Sequence, residues 1–304
     1  MNAKQVNRYF LTTIILQILS VAILVVFPFI NEYDWRLTSL WDEAALVVPA
    51  IFFLIVSGER RSSALGLKRI RFTSALMSIL FMLMTLPLCN AAGGFSQIFT
   101  DNIVVEASAY MAGTSFPSLF FLIAVWSPLC EEIAFRGFVF RGYRGNAGFW
   151  RAAIVSAFLF GLVHLNMNQF IYAFVFGILL ALLTEATGSI WPGFFYHMLF
   201  NAIAVFAMYG DPSFAEGKAP LVQSDTEMIL YYTGAQFALG VIFLIPAACI
   251  LVWIFKNEGR RELIDGLLGF DMRGRIVTPS LVIGVALCLV IMGFFAVVRI
   301  ADKL

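Results

Sequence analysis

The sequence predicts an all-α bundle of membrane-spanning helices, and three observations carry that prediction. Of 304 residues, 61% are hydrophobic and only 13% are charged, with mean hydropathy +0.89, against about 45–50% and about 25% in an ordinary soluble domain. The apolar residues are gathered into runs close to the roughly 20 needed to cross hydrocarbon as a helix. The charges fall between the runs, basic in one set of connections and acidic in the other. Such a chain cannot cover its surface with polar groups, which excludes a soluble enzyme. A formal net charge of +1 leaves no broad basic surface, so nucleic acid is not an expected partner.

Nine stretches read as helices, near 9–30, 43–57, 72–92, 116–143, 150–166, 168–187, 189–209, 228–255 and 279–300, an expectation of eight to nine spans. The first follows Lys4 and Arg8 but is too long for a signal peptide and ends in Asn31-Glu32-Tyr33-Asp34 without a small-residue cleavage site, so it reads as a retained span. The second is the shortest. Only Gly188-Ser189 divides the sixth from the seventh. Between the eighth and ninth, Glu262 to Phe270 has the pattern of a short amphipathic helix lying on a leaflet.

Orientation follows from the cations. Lys4 and Arg8, then Arg60, Arg61, Lys68, Arg69 and Arg71, then Arg136, Arg141, Arg144 and Arg151, and finally Lys256, Arg260, Arg261, Arg273 and Arg275 make up sixteen of the 20 Lys and Arg. Nine alternating spans put all four groups on one side. The other side receives Glu32, Asp34, Asp42, Glu43, Asp101, Glu106, Asp211, Glu216, Asp225 and Glu227, with Arg36 and Lys218. By the positive-inside rule the N-terminus is cytoplasmic and the C-terminus is outside. Cys89, Cys130, Cys249 and Cys288 all lie in apolar runs without metal-ligand spacing and read as free thiols. No internal repeat or linker divides the chain, so 1–304 reads as a single membrane domain.

Ionisable groups at membrane depth are costly, and each is a functional candidate. They fall in three clusters: Glu131-Glu132-Ile133-Ala134-Phe135-Arg136, Phe160-Gly161-Leu162-Val163-His164 and His197-Met198-Leu199-Phe200-Asn201. The chain has two histidines, and both are here. Glu132 and Arg136 are one helical turn apart and can pair, while Glu131 points about 100° away. His197 and Asn201 likewise share a face. At about 1.5 Å per residue, Glu131 lies roughly 15 Å, His164 roughly 20 Å and His197 roughly 13 Å in from the same side, a spread that helix tilt covers. The three clusters can therefore meet.

A carboxylate held among apolar helices suits a general base. A neighbouring histidine can orient a water with it, and a second histidine and an amide can stabilise an oxyanion. These are the parts for amide hydrolysis without a covalent intermediate. There is no GxSxG, no Ser or Cys beside either histidine, and no HExxH.

Glu-Glu-x-x-x-Arg, Phe-x-x-x-His and His-x-x-x-Asn, each on an apolar helix and in this order, resemble the CPBP intramembrane endopeptidases, the family of the type II CAAX prenyl proteases and their bacteriocin-immunity relatives. The motif-bearing core covers about 116–205, with flanking spans in 1–115 and 206–304. The resemblance implies an all-α bundle with a catalytic cavity between the motif helices, open toward the cytoplasm and to lipid. It implies that Glu131 and His164 activate the water, that His197 and Asn201 form the oxyanion site, and that Glu132 and Arg136 hold the architecture as an ion pair. Phe160 reads as packing.

No cofactor is expected. A metal-dependent version would recruit a divalent ion such as zinc through Glu131, His164 and His197, although three separate spans make a poorer ligand set than a compact motif. A non-catalytic alternative is a membrane scaffold or immunity protein that binds a peptide or a sensor kinase, with the polar residues acting as interhelical glue. Asn201 fits that role most readily. Glu185 reads as snorkelling, and Gly93-Gly94, Trp126, Trp191 and Pro192 as turn, interface or kink features. The expected partners are the bilayer and a peptide or membrane-protein terminus, including a CAAX-type tail. The loop-poor build suggests a bacterial plasma-membrane member.

Overall fold

Apolar helices whose backbone groups bond internally are what the composition demands in lipid, and among the described residues the architecture is all-helical. The computed structural model describes residues 1–26, 34–58, 65–211, 214 and 226–302. Its main helices are α1 (Ala3–Val26), α2 (Trp35–Ser57), α3 (Phe72–Gln97), α4 (Ile103–Met111), α5 (Phe116–Arg144), α6 (Phe149–Leu162), α7 (Met167–Thr187), α8 (Trp191–Gly210), α9 (Thr226–Asn257), the short α10 (Ile264–Leu268) and α11 (Pro279–Asp302). Seven of these, α2, α3, α5, α7, α8, α9 and α11, are long and apolar enough to cross a membrane. The 24-residue α1 and the 14-residue α6 account for the other two stretches expected from sequence. The chain is an integral membrane protein.

Two elements differ from expectation in ways that shape the site. Helix α2 starts at Trp35 rather than near 43, because the Asp34 side chain accepts from Arg36 N at 3.1 Å and caps a polar first turn. Asp42 and Glu43 therefore lie inside a helix instead of in a loop. Helix α6 is only about 21 Å long at 1.5 Å per residue, too short to span. It turns back within the bundle through Leu165, whose φ is 54°, into α7, where Asn166 accepts from Gln169 N at 2.8 Å. The α6–α7 hairpin packs closely because its glycines remove side chains: a Cβ on Gly161 would sit 2.8 Å from Phe170, and one on Gly177 would sit 2.8 Å from Ala157. Gly94 does the same for α3 and α9, since a Cβ there would clash with Thr233.

The basic connections share one end. Arg144 Nε pairs with Glu185 Oε1 at 3.0 Å, Arg260 Nε donates to the Glu185 carbonyl at 2.7 Å, and Arg141 Nη1 donates to the Gly188 carbonyl at 3.3 Å. Ser189 Oγ donates to the Lys68 carbonyl at 2.7 Å. Glu185 is thus a buried ion-pair partner rather than a snorkelling group. Nearby, the Arg273 guanidinium donates twice to Asp271 and holds that carboxyl well below the usual carboxylate range. At the other end Trp35 Nε1 donates to Thr114 Oγ1 at 3.0 Å, and Phe116 packs on Phe206 and Tyr209. Arg60, Arg61, Glu32, Glu216, Lys218 and Asp225 lie outside the described residues.

The segment expected to be amphipathic forms a 3-10 turn (Arg261–Leu263) followed by α10, with Leu268 and Phe270 exposed and Phe270 stacked on Trp150. All four cysteines are free; Cys249 is exposed on α9 and the other three are buried.

Candidate active site

Helix α5 is not a uniform α-helix. Its turns widen to π over Phe120–Trp126 and again over Glu132–Phe140, with Ser127–Glu131 α-helical between them. Pro128 accounts for the break, since it brings no backbone N–H and its ring crowds the preceding turn. In the first π segment Ser127 N donates to the Leu122 carbonyl. The next donor in that register would be residue 128, which is proline, so the Ile123 carbonyl loses its partner. Asn201 Nδ2, from α8, donates to that carbonyl at 2.9 Å. The helix break and the Asn201 position are one arrangement.

Behind the site, Glu132 and Arg136 are fully buried and paired at 2.9 Å, and the guanidinium lies 4.1 Å from the centre of the Phe160 ring. Charges this deep are tolerable only when paired. His197 Nδ1 lies 3.2 Å from Glu132 Oε1. Glu132 Oε1 also accepts from the Arg136 guanidinium, so as the acceptor of this pair it leaves Nδ1 as the donor. The other ring nitrogen, Nε2, is 3.7 Å from Glu131 Oε2. His197 is buried and stands between two carboxylates of one helix, with Phe176 and Phe160 against its ring at 4.9 and 5.9 Å.

Glu131 is 12% exposed. Its Oε1 accepts from Ser127 Oγ at 3.0 Å, and its Oε2 accepts no hydrogen bond among the described residues. His164 lies in the α6–α7 turn, and its Nδ1 donates to the Phe160 carbonyl at 2.8 Å. A carbonyl only accepts, so in the neutral ring Nε2 is left as a lone-pair acceptor.

A cavity of about 360 Å³ is lined by Glu131, His164, His197, Asn201 and Phe160 together. Glu132 and Arg136 do not line it. The three motifs that lie up to 70 residues apart thus converge on one space, with Tyr172, Phe176 and Phe200 as apolar walls. The cavity continues along α2 past Glu43 and Asp42 to Ser39, Thr38 and Trp35, and to Met111 of α4. That is the end opposite Arg141, Arg144 and Arg260, not the basic end that the resemblance implies if the basic side is cytoplasmic. Glu43, Asp42 and Ser127 are cavity residues that the sequence reading did not single out. Glu43 carried one signal, a charge at the first position of the apolar run expected over 43–57.

Among the described residues no three His, Cys, Asp or Glu side chains are grouped so as to hold a metal ion. Glu131, His164 and His197 share the cavity without forming such a set.

Residues 113–203 match the family described as type II CAAX prenyl endopeptidase Rce1-like, the segment that contains all three motifs. The chain is also similar to a Bacillus subtilis (strain 168) protein named "Putative membrane peptidase YdiL", at 24% identity over 199 residues covering 53% of this chain and 82% of that one. No solved structure matches.

Proposed function

We propose that this protein is an intramembrane endopeptidase in which Glu131 is the general base for a water that attacks a peptide carbonyl. The observation that carries the proposal is Glu131 Oε2: buried, without a hydrogen-bond donor, 3.7 Å from His197 Nε2, on the wall of a cavity that also holds His164 and Asn201. The family match over the motif-bearing segment supports the same reading.

In the proposed reaction, water oxygen bonds to the carbonyl carbon as one of its protons passes to Glu131. His164 Nε2 accepts from the same water and orients it. The oxyanion that forms is met by the second N–H of the Asn201 amide, the first being committed to Ile123, and by His197 Nε2 when the ring carries both protons, Nδ1 already donating to Glu132. The C–N bond then breaks as Glu131 returns its proton to the leaving nitrogen, so atoms and charge balance without a metal. The apolar walls suit a peptide or membrane-protein terminus presented from lipid, and a prenylated CAAX-type tail is one member of that class.

The test is substrate-blind. Wild type and Glu131→Gln are expressed at matched membrane levels, and the free N-termini of membrane and secreted polypeptides are compared. Termini present only with wild type are the expected result, and they persist when cleavage is repeated in isolated membranes with a chelator. Identical profiles, with Glu131→Gln rescuing any deletion phenotype, would make the protein a binder rather than a protease.

A further inference from the structure

Glu43 belongs to α2, outside the three motifs and outside the segment matched by the family. It is 7% exposed yet lines the cavity. Ser127, one turn before Glu131, places its hydroxyl between two carboxyl groups. Its Oγ is hydrogen-bonded to Glu43 Oε1 and lies 3.0 Å from Glu131 Oε1.

A hydroxyl has one proton to give. It can serve one of these carboxyl oxygens, and the other contact is then favourable only if a second proton lies on the carboxyl group itself. The neighbours give no alternative source of attraction. Among the described residues, the titratable groups that face Glu43 are Asp42 on its own helix, Cys130 and Glu131 on α5, and Tyr9 on α1, and none is a cation. Two ionised carboxylates flanking one hydroxyl would repel each other and turn Glu131 away.

We infer that Glu43 is a positioning residue for the Glu131 site: as a neutral carboxylic acid it donates to Ser127, Ser127 donates to Glu131 Oε1, and Glu131 Oε2 is thereby left turned toward His197 and the cavity. The relay joins a flanking helix to the motif helix and explains why a carboxyl group sits on α2 at this depth. It also gives Ser127 a purpose that a nucleophile reading would misassign, since among the described residues its hydroxyl is hydrogen-bonded to the two carboxyl groups and to no histidine. This inference rests on the endopeptidase reading for its kinetic consequences but not for its geometry.

Full-length wild type, Glu43→Gln, Glu43→Ala, Ser127→Ala and Glu131→Gln are compared at matched membrane levels, with turnover followed on the termini that wild type generates and Glu131→Gln does not. Glu43→Ala and Ser127→Ala are expected to lower turnover by about tenfold or more, the worth of one hydrogen bond to a charged group, without a matching rise in KM. Glu43→Gln, whose amide can still donate to Ser127, restores most of the loss. It also extends activity to higher pH, because it has no proton to lose there. Wild-type turnover in Glu43→Ala overturns the inference, as does a Glu43→Gln protein no better than Glu43→Ala with an unchanged alkaline limb.

An infrared measurement on the purified proteins separates this from failure of the protease reading. Wild type is expected to show the carbonyl band of a protonated carboxylic acid, lost in Glu43→Gln and shifted in Ser127→Ala. A band unchanged in both variants overturns the relay whether or not Glu131→Gln proves active.

Discussion

Asn201 Nδ2 donates to the backbone carbonyl of Ile123 across 2.9 Å, at the position where Pro128 supplies no donor in the π register of α5. One side chain thus completes the backbone of another helix and is fixed, by that bond, beside the cavity. Asn201→Ala leaves a partly buried carbonyl unpaired and should cost about 1 kcal/mol of stability, in addition to lost activity. Pro128→Ala returns an N–H to the helix. The two changes together should therefore cost less than their sum, and a double-mutant cycle on thermal unfolding in detergent reads the coupling. Strict additivity would mean that the two features are unrelated.

Much of this site was legible in the sequence because membrane depth makes polar residues conspicuous. Glu131, His164, His197 and Asn201 stand out against apolar runs, and helical spacing alone pairs Glu132 with Arg136. Glu43 was not legible. The mixed stretch from Trp35 to Asp42, in which Arg36, Thr38, Ser39 and Asp42 interrupt apolar residues, sets the apparent start of the second span too late and makes a buried carboxyl group look like a loop residue. The Asp34 cap that reverses this reading is a local hydrogen bond, invisible to hydropathy. The π turns of α5 were equally hidden, although Pro128 announces that something must accommodate it. The short α6 was read as a span because composition does not say where a helix turns back.

Gly193, on α8, bears on the same site from behind. A Cβ there would come within 2.9 Å of Glu132 Oε2, whose partner oxygen is engaged by both Arg136 and His197. A carboxylate held by two groups has little freedom to move aside. Gly193→Ala is therefore expected to displace Glu132 and tilt His197. Turnover should fall by about tenfold, with membrane levels close to wild type. Unchanged turnover would show that His197 does not depend on Glu132 for its placement.

The Glu132–Arg136 pair predicts a different kind of defect. Arg136→Ala strands a carboxylate that is fully buried, a loss of about 3–5 kcal/mol. It also removes the cation over Phe160, so abundance should drop along with activity. Replacing both members with apolar residues of similar volume should recover abundance but not turnover, because His197 would lose its Nδ1 acceptor. Steady-state protein measured beside the substrate-derived termini distinguishes the two effects. Wild-type accumulation of Arg136→Ala would place the pair in contact with water.

For the proposed reaction, two placements predict the side from which a substrate would enter. The cavity runs toward Trp35, Thr38 and Ser39, while Arg141, Arg144, Arg260 and Lys68 gather at the other end of the helices. If the basic end is cytoplasmic, as the positive-inside rule predicts, the cavity is reached from outside, through a rim that carries Asp42. In a cysteine-free background, Ser39→Cys should then react with a membrane-impermeant maleimide added to intact cells, and Arg69→Cys should react only after permeabilisation. Addition of an apolar peptide substrate should protect Ser39→Cys and leave Arg69→Cys unaffected. The reverse labelling pattern would put the cavity mouth in the cytoplasm and make this chain an exception to the charge rule, with substrates drawn from the inner compartment.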